Sequence, residues 1–155
     1  KNIMRRGADR VAINTALFET PTLINQIRDT YGTQAIVASI QAKKRDPHNY
    51  ECLTNAGREK TGRELFQWVE ELSTRGVGEI IVTSVDQDGT ARGFDETMIQ
   101  EIVQRCDVPV IAAGDAGNVD HISQLIKTAM KKMDTCQVWN LEPNTPYLLK
   151  AAEVI

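Results

Sequence analysis

The strongest chemical signal in the sequence is a pair of carboxylates at the end of an apolar run. The stretch Glu79 to Val85 contains Thr83 and Ser84 near its end and leads into Asp86, Gln87, Asp88, Gly89 and Thr90. A carboxylate at such a position can act as a general acid or base if its surroundings tune its pKa. The same Asp-x-Asp-Gly pattern also suits a turn with a helix cap, and the spacing leaves both readings open. Cys52, Cys106 and Cys136 lack metal-ligand spacing and are odd in number, so neither a metal centre nor a disulfide framework is expected, and a reducing cytoplasm fits. The run Lys43, Lys44, Arg45 reads as a solvated loop in preference to a polyanion site.

These residues need a frame, and the hydrophobic pattern supplies one. Short β-branched runs alternate with stretches of helical period, the pattern of βα units around a parallel sheet. The strand candidates are Val11 to Asn14, Ala35 to Ile40, Glu79 to Val85 and Pro109 to Gly114, with a weaker one at Cys136 to Leu141. Thr20 and Pro21 read as an N-cap and first helical residue before Leu23, Ile24 and Ile27. Further helical faces are Leu65, Trp68, Val69 and Leu72, then Met98, Ile99, Ile102 and Val103, then Ile122, Leu125, Ile126 and Ala129. The polar stretch from Lys43 to Gly62 reads as a long, mobile connection, well beyond the usual length of about 2 to 6 residues.

The chain has 155 residues, 41% of them hydrophobic and 25% charged, which suits a single folded domain over 1–155. A net charge of -3 argues against general nucleic-acid binding, which depends on clustered Lys and Arg. No run of about 18 apolar residues and no signal-peptide pattern is present, so a soluble, cytoplasmic protein is expected, without membrane insertion. About five strands cannot close a barrel that needs eight βα units and roughly 250 residues. The options are a fragment of a longer barrel, assembly with a second copy or a complementary half, or a smaller open α/β sheet. The opening Lys1 and Asn2, without an initiating Met, suggest that residues precede them.

The motifs taken together resemble the cyclase subunit of imidazole glycerol phosphate synthase. Gly76 to Thr90 with Gly93, Phe94 and Asp95 looks like its sixth strand and following loop, and Gly7 to Thr15 like its fourth strand. Val37 to Lys44 resembles the fifth strand, Arg58 to Gly62 the loop after it, and Val108 to Gly117 the seventh strand with a phosphate loop. The resemblance covers about residues 7 to 130 and implies the C-terminal part of a parallel (β/α)8 barrel, half-barrel-like, with 131–155 divergent. It implies a lyase that uses ammonia from a glutaminase partner on the bisphosphorylated ribonucleotide PRFAR, giving imidazole glycerol phosphate and AICAR, with no cofactor. Asp88 becomes the catalytic candidate. Asn14, Thr15, Thr83, Ser84, Gly114, Asp115, Ala116 and Gly117 become candidates for substrate and phosphate binding. Asp9, Arg10 and Glu79 match positions at the ammonia gate and glutaminase interface.

The match has departures with chemical content. Gln41 stands where the family has a catalytic Asp, and an amide cannot exchange a proton near neutral pH. Ala113 and Asp115 interrupt the Ser-Gly-Gly-Ala-Gly loop, and a carboxylate about 4 Å from a phosphate costs on the order of 4 kcal/mol at an effective dielectric near 20. The isolated chain is therefore expected to be inactive. Val11, Ile13, Val37, Ile81, Val82, Val110 and Ile111 are candidates to line or back an uncovered inner face, which predicts association with a second copy or a complementary half.

Overall fold

The computed structural model describes residues 2–114 and 116–130, so the strand candidate Cys136 to Leu141 and the residue Asp115 lie outside the described residues. In chain order the elements are α1 (Asn2–Arg5), β1 (Val11–Ile13), α2 (Thr15–Glu19), α3 (Leu23–Tyr31), β2 (Ile36–Asp46), β3 (Asn49–Thr54), β4 (Glu59–Glu64), α4 (Leu65–Arg75), β5 (Glu79–Ser84), α5 (Glu96–Arg105), β6 (Val110–Ala113) and α6 (Val119–Met130). Strands β1, β2, β5 and β6 lie side by side in that order, all parallel, as the alternation of runs predicts. The result is an α/β fold with the architecture of a partial (β/α) barrel.

Alternation along the strands sends one set of side chains to the helices and the other to the open face. Ile36, Ala38, Ile40 and Ala42 of β2 and Ile80 and Val82 of β5 join the buried core with α4 and α5. Helix α4 contributes Leu65, Phe66, Trp68, Val69 and Leu72, and α5 contributes Met98, Ile99 and Ile102, all buried. Each such side chain contributes about 1.5–3 kcal/mol when withdrawn from water. Glu64 caps α4 by accepting from Gln67 N at 2.8 Å, and Gly76 ends it in the left-handed region at φ 88°. Asp95 caps α5 by accepting from Met98 N at 3.1 Å.

Two expectations change. First, Lys43 to Gly62 is not a loop: β2 runs on to Asp46 and turns into the antiparallel pair β3 and β4. Tyr50, Cys52 and Thr54 bury one side of β3, and that period of two was the available signal beneath the charges. Lys43, Lys44 and Arg45 accordingly sit on a strand, exposed. Second, Thr20 closes α2 by donating its backbone N–H to Ala16 O, and α3 begins at Leu23 with Thr22 as its N-cap residue, so Thr20 and Pro21 are not the start of that helix. Neither α1 nor α2, four and five residues long, is marked by an apolar period. Of the seven residues expected to line or back the inner face, alternation puts Val11, Ile13, Val82 and Val110 in the helix-facing set that backs it, since Val11 pairs with Ile36, Ile13 with Ala38, and Val110 with Ile80.

The inner face therefore consists of three rows of cross-strand neighbours. Ala12, Val37 and Glu79 form the row near the strand starts; Ser39, Ile81 and Ile111 the middle; Gln41, Thr83 and Ala113 the row at the far end of the parallel pairing. Gln41 and Thr83 make the last row the most polar, and Glu79 is the charged residue of the first.

Candidate functional site

The C-terminal ends of the parallel strands gather several of the sequence candidates. Asn14 follows β1, Gln41 sits near the middle of β2, and Thr83 lies beside Gln41 on β5. The Asn14 Nδ2 donates to Ser39 O at 2.9 Å and to Leu53 O at 3.5 Å, tying β1 to both β2 and β3. Thr15 Oγ1 accepts from Asn55 N at 3.2 Å and stands 3.4 Å from Asn55 Oδ1. The β3–β4 tip thus reaches back to the end of β1.

That tip is built from three consecutive residues with positive φ: Asn55 at 51°, Ala56 at 58° and Gly57 at 75°. Only glycine is at ease in this region, and Gly57 also allows close approach: a Cβ there would lie 3.4 Å from Val85 Cγ2 and 3.9 Å from Gln41 Oε1. The tip therefore lies over Gln41. Sequence reading assigned no role to Asn55 or Gly57, because their contacts come from strands far away in the chain.

The carboxylates of the β5–α5 connection divide by role. Asp86 Oδ2 accepts from Lys44 N at 2.8 Å, which fastens this connection to the extended end of β2. Asp88 is exposed, its backbone N–H bonded to Ser84 O at 2.9 Å, and its carboxylate has no hydrogen-bond partner among the described residues. It is the carboxylate left available for a ligand. Ser84, by contrast, belongs to the helix-facing set with Ile80 and Val82; it is buried, with Oγ unpaired among the described residues, on the opposite face from Thr83. The structure does not bring Ser84 together with Gln41 and Thr83.

The connection after β6 is also committed to internal contacts. Gly117 N donates to His121 Nδ1 at 3.1 Å, so that N–H is not free for an anion in this conformation. A Cβ at Gly117 would stand 2.1 Å from Ala91 O, which explains why a glycine packs there against the β5–α5 connection. Gly114 lies against Phe94, and Ala116 is half-buried. At the opposite end of the sheet Arg10 and Glu79 form an ion pair, with Asp9 exposed beside them.

One polar contact was not legible in the sequence. Tyr50 is fully buried, and its OH donates to Asp95 Oδ1 at 3.1 Å, joining β3 to the start of α5. Burial and the neighbouring Asp95 carboxylate push the Tyr50 phenol well above its ordinary range. Burial also pushes the Cys52 thiol up to about 12. Cys52 and Cys106 are both buried. No group of His, Cys, Asp and Glu suited to a metal ion occurs among the described residues, and none of their helices is long and apolar enough to cross a membrane.

Comparison with known proteins gives this geometry a lineage. The chain is 43% identical to the imidazole glycerol phosphate synthase subunit HisF of Microcystis aeruginosa over 129 residues, covering 81% of this chain and 51% of the relative. It is 43% identical to the subunit of the same name from Trichormus variabilis over 125 residues, covering 79% and 49%. A Leptospira biflexa HisF subunit is 40% identical over 127 residues, covering 81% and 50%. The chain thus spans about half the length of the curated relatives it matches. The model of the family described as histidine biosynthesis protein matches residues 1–135, and with this match and the parallel α/β sheet the chain belongs to that family.

Proposed function

We propose that the chain supplies one half of a cyclase barrel of the imidazole glycerol phosphate synthase type, acting in the cytoplasm on a phosphorylated ribonucleotide once the barrel is completed. The observation that carries this reading is the gathering of Asn14, Gln41 and Thr83 at the ends of parallel strands, in a chain of this family. In this reading Asp88 exchanges the proton, and Asn14, Thr15 and Thr83 orient the phosphorylated ligand. Gly114, Asp115, Ala116 and Gly117 form a second, weakened phosphate region. Glutaminase-derived ammonia would enter from the opposite end, past Asp9, Arg10 and Glu79. The reaction assigned is conversion of PRFAR and ammonia to imidazole glycerol phosphate and AICAR.

Gln41 limits what the chain does alone. Its amide can hold a substrate oxygen or nitrogen but cannot carry a proton between steps. Purified chain with PRFAR and ammonium salt is expected to show no turnover. Addition in trans of a polypeptide carrying the family's first three βα units, together with Gln41→Asp, is expected to produce it. Turnover by the unmodified chain alone that disappears in Asp88→Asn would show the half-barrel reading to be wrong.

A second reading, a phosphate-binding or assembly module without chemistry, is favoured by Gln41 and by the engagement of Gly117 N with His121. A cyclase-like subunit that delivers ammonia to another enzyme is its variant, in which Arg10 and Glu79 matter more than Asp88. Both readings predict that Gln41→Asp brings no turnover even in the completed barrel.

A further inference from the structure

His121 ties together two connections at the ligand end of the sheet. It lies on the first turn of α6, where Asn118 Oδ1 accepts its backbone N–H at 3.1 Å and caps the helix. The half-buried ring rests on Gly93 of the β5–α5 connection, where a Cβ would stand 3.0 Å from the ring Cγ and 3.2 Å from Nδ1. The same Nδ1 accepts from Gly117 N at 3.1 Å, and Gly117 in turn abuts Ala91 O. Ala91 and Gly93, with φ of 54° and 92°, are thus gripped from two sides by the head of α6. A side chain such as that of Ala91 rarely adopts this backbone region, so the conformation depends on its surroundings. The gripped segment follows Asp88 closely in the same connection.

The polar surroundings of the ring suit its neutral form. A neutral imidazole has one lone pair and one N–H. Acceptance from Gly117 N places the lone pair on Nδ1 and the proton on Nε2. Asn118 Nδ2, whose orientation is set by the bond that Oδ1 receives, stands 3.4 Å from Nε2 and offers a donor to the other tautomer. Protonation makes donors of both ring nitrogens and sets each against an N–H group, so the Gly117 bond is lost. The charged residues on the elements around the ring are Asp86, Asp88 and Arg92 on the β5–α5 connection, Asp95 and Glu96 at the head of α5, and Asp120 on α6; Asp115 lies outside the described residues. Asp86 accepts from Lys44 N, Asp95 from Tyr50 and Met98 N, and Glu96 from Thr128. Arg92 and Asp120 are exposed and opposite in sign, and none of the six bonds to the ring among the described residues.

We propose that His121 is a positioning residue, a proton-sensitive latch that fixes the connection carrying Asp88 while the ring is neutral and releases it when the ring is protonated. Its meaning for catalysis rests on the reading of Asp88 as the residue that exchanges the proton. The latch itself is a property of the chain without ligand.

The test is NMR spectroscopy of the full 15N-labelled chain between about pH 8 and about pH 5, where imidazoles take up protons and carboxylates stay largely ionised. The sequence has two histidines, so His48→Gln, on the turn between β2 and β3, controls for the other. His121→Asn keeps an acceptor that does not titrate, and His121→Leu removes it. At the alkaline end the ring nitrogens are expected to report a proton on Nε2 alone. On acidification the Gly93 and Gly117 amide signals are expected to move together in the unmodified chain and in His48→Gln, but not in His121→Asn. Hydrogen exchange at the Asp88 and Thr90 amides, corrected for its intrinsic pH dependence, is expected to quicken about tenfold at the acid end in the unmodified chain. It should be equally fast at both ends in His121→Leu and slow at both in His121→Asn. A proton on Nδ1 at the alkaline end overturns the latch, as do Gly93 and Gly117 signals that titrate in His121→Asn as in the unmodified chain. Exchange at Asp88 and Thr90 that ignores pH in the unmodified chain overturns it too. If His121→Leu does not fold, the unmodified chain and His121→Asn decide. None of these measurements needs substrate, so an overturned latch leaves the cyclase-half reading intact, and a completed barrel without turnover overturns that reading while the latch stands.

Discussion

Tyr50 and Cys52 lie two residues apart on β3, point to the same buried side, and respond to pH in the same direction. The fold favours the protonated form of each, so the stability they contribute is complete below the unfolded thiol pKa of about 8.5 and is lost as pH rises toward about 12. The melting temperature is therefore expected to fall across that alkaline window, and Cys52→Val to flatten the fall. A profile unchanged by Cys52→Val would remove the thiol from the account. Burial also predicts that neither Cys52 nor Cys106 reacts with a thiol reagent at pH 8 in the native state. Tyr50→Phe, which removes the bond to Asp95 but keeps the ring against Phe66, is expected to cost about 1 kcal/mol by urea denaturation.

The elements are held in register by a few backbone positions with little room. Gly78 leads into β5 where the 3-10 turn Thr33–Ala35 passes ahead of β2: a Cβ there would lie 2.5 Å from Thr33 O and 2.8 Å from Gln34 Cα. Both are backbone atoms, so Gly78→Ala forces the strand away and is expected to destabilise by about 1–3 kcal/mol in urea. Gly57→Ala meets only ordinary side-chain contacts and strains φ, so about 1 kcal/mol is expected. Equal losses at the two positions would contradict this distinction. Asp95→Ala removes both the N-cap of α5 and the acceptor for Tyr50, and is expected to cost more than Tyr50→Phe, about 2 kcal/mol, in the same measurement. Combined with Tyr50→Phe, its effect should fall short of additive, because the two changes remove one shared bond.

For the whole molecule, the open face is less apolar than the strand composition suggests. Of the seven residues expected to line or back it, Val37, Ile81 and Ile111 face inward, and all three are buried or half-buried. Among the described residues the exposed large hydrophobics are Ile3, Val119 and Ile122, all outside the sheet. The association expected of this chain would therefore draw on the strand edges as well as on the inner face. Within the described residues, the outer edges of β1 and β6 carry backbone groups without a strand partner. Light scattering on the purified chain is expected to show a dimer or larger species. A monomer at micromolar concentration that binds no hydrophobic dye would count against edge-driven assembly.

The sequence by itself determined the parallel strands, their order and four of the amphipathic helices. Apolar periodicity reports burial, and burial on both faces is what a parallel sheet demands. It also carried the family motifs, because Gln41 follows directly on the apolar run to Ile40, Thr83 lies near the end of the run from Glu79, and Asp88 falls in the connection after it. Tertiary structure alone decided that the charged stretch after Gln41 is a folded hairpin, since most of its residues face solvent and hide the alternation of Tyr50, Cys52 and Thr54. It alone turned Ser84 toward the helices and Thr83 toward the open face, because one residue of register reverses every side chain on a strand. It alone, too, brought Asn55 onto Thr15 and Gly57 over Gln41, contacts between residues 40 and 16 positions apart that no local pattern encodes.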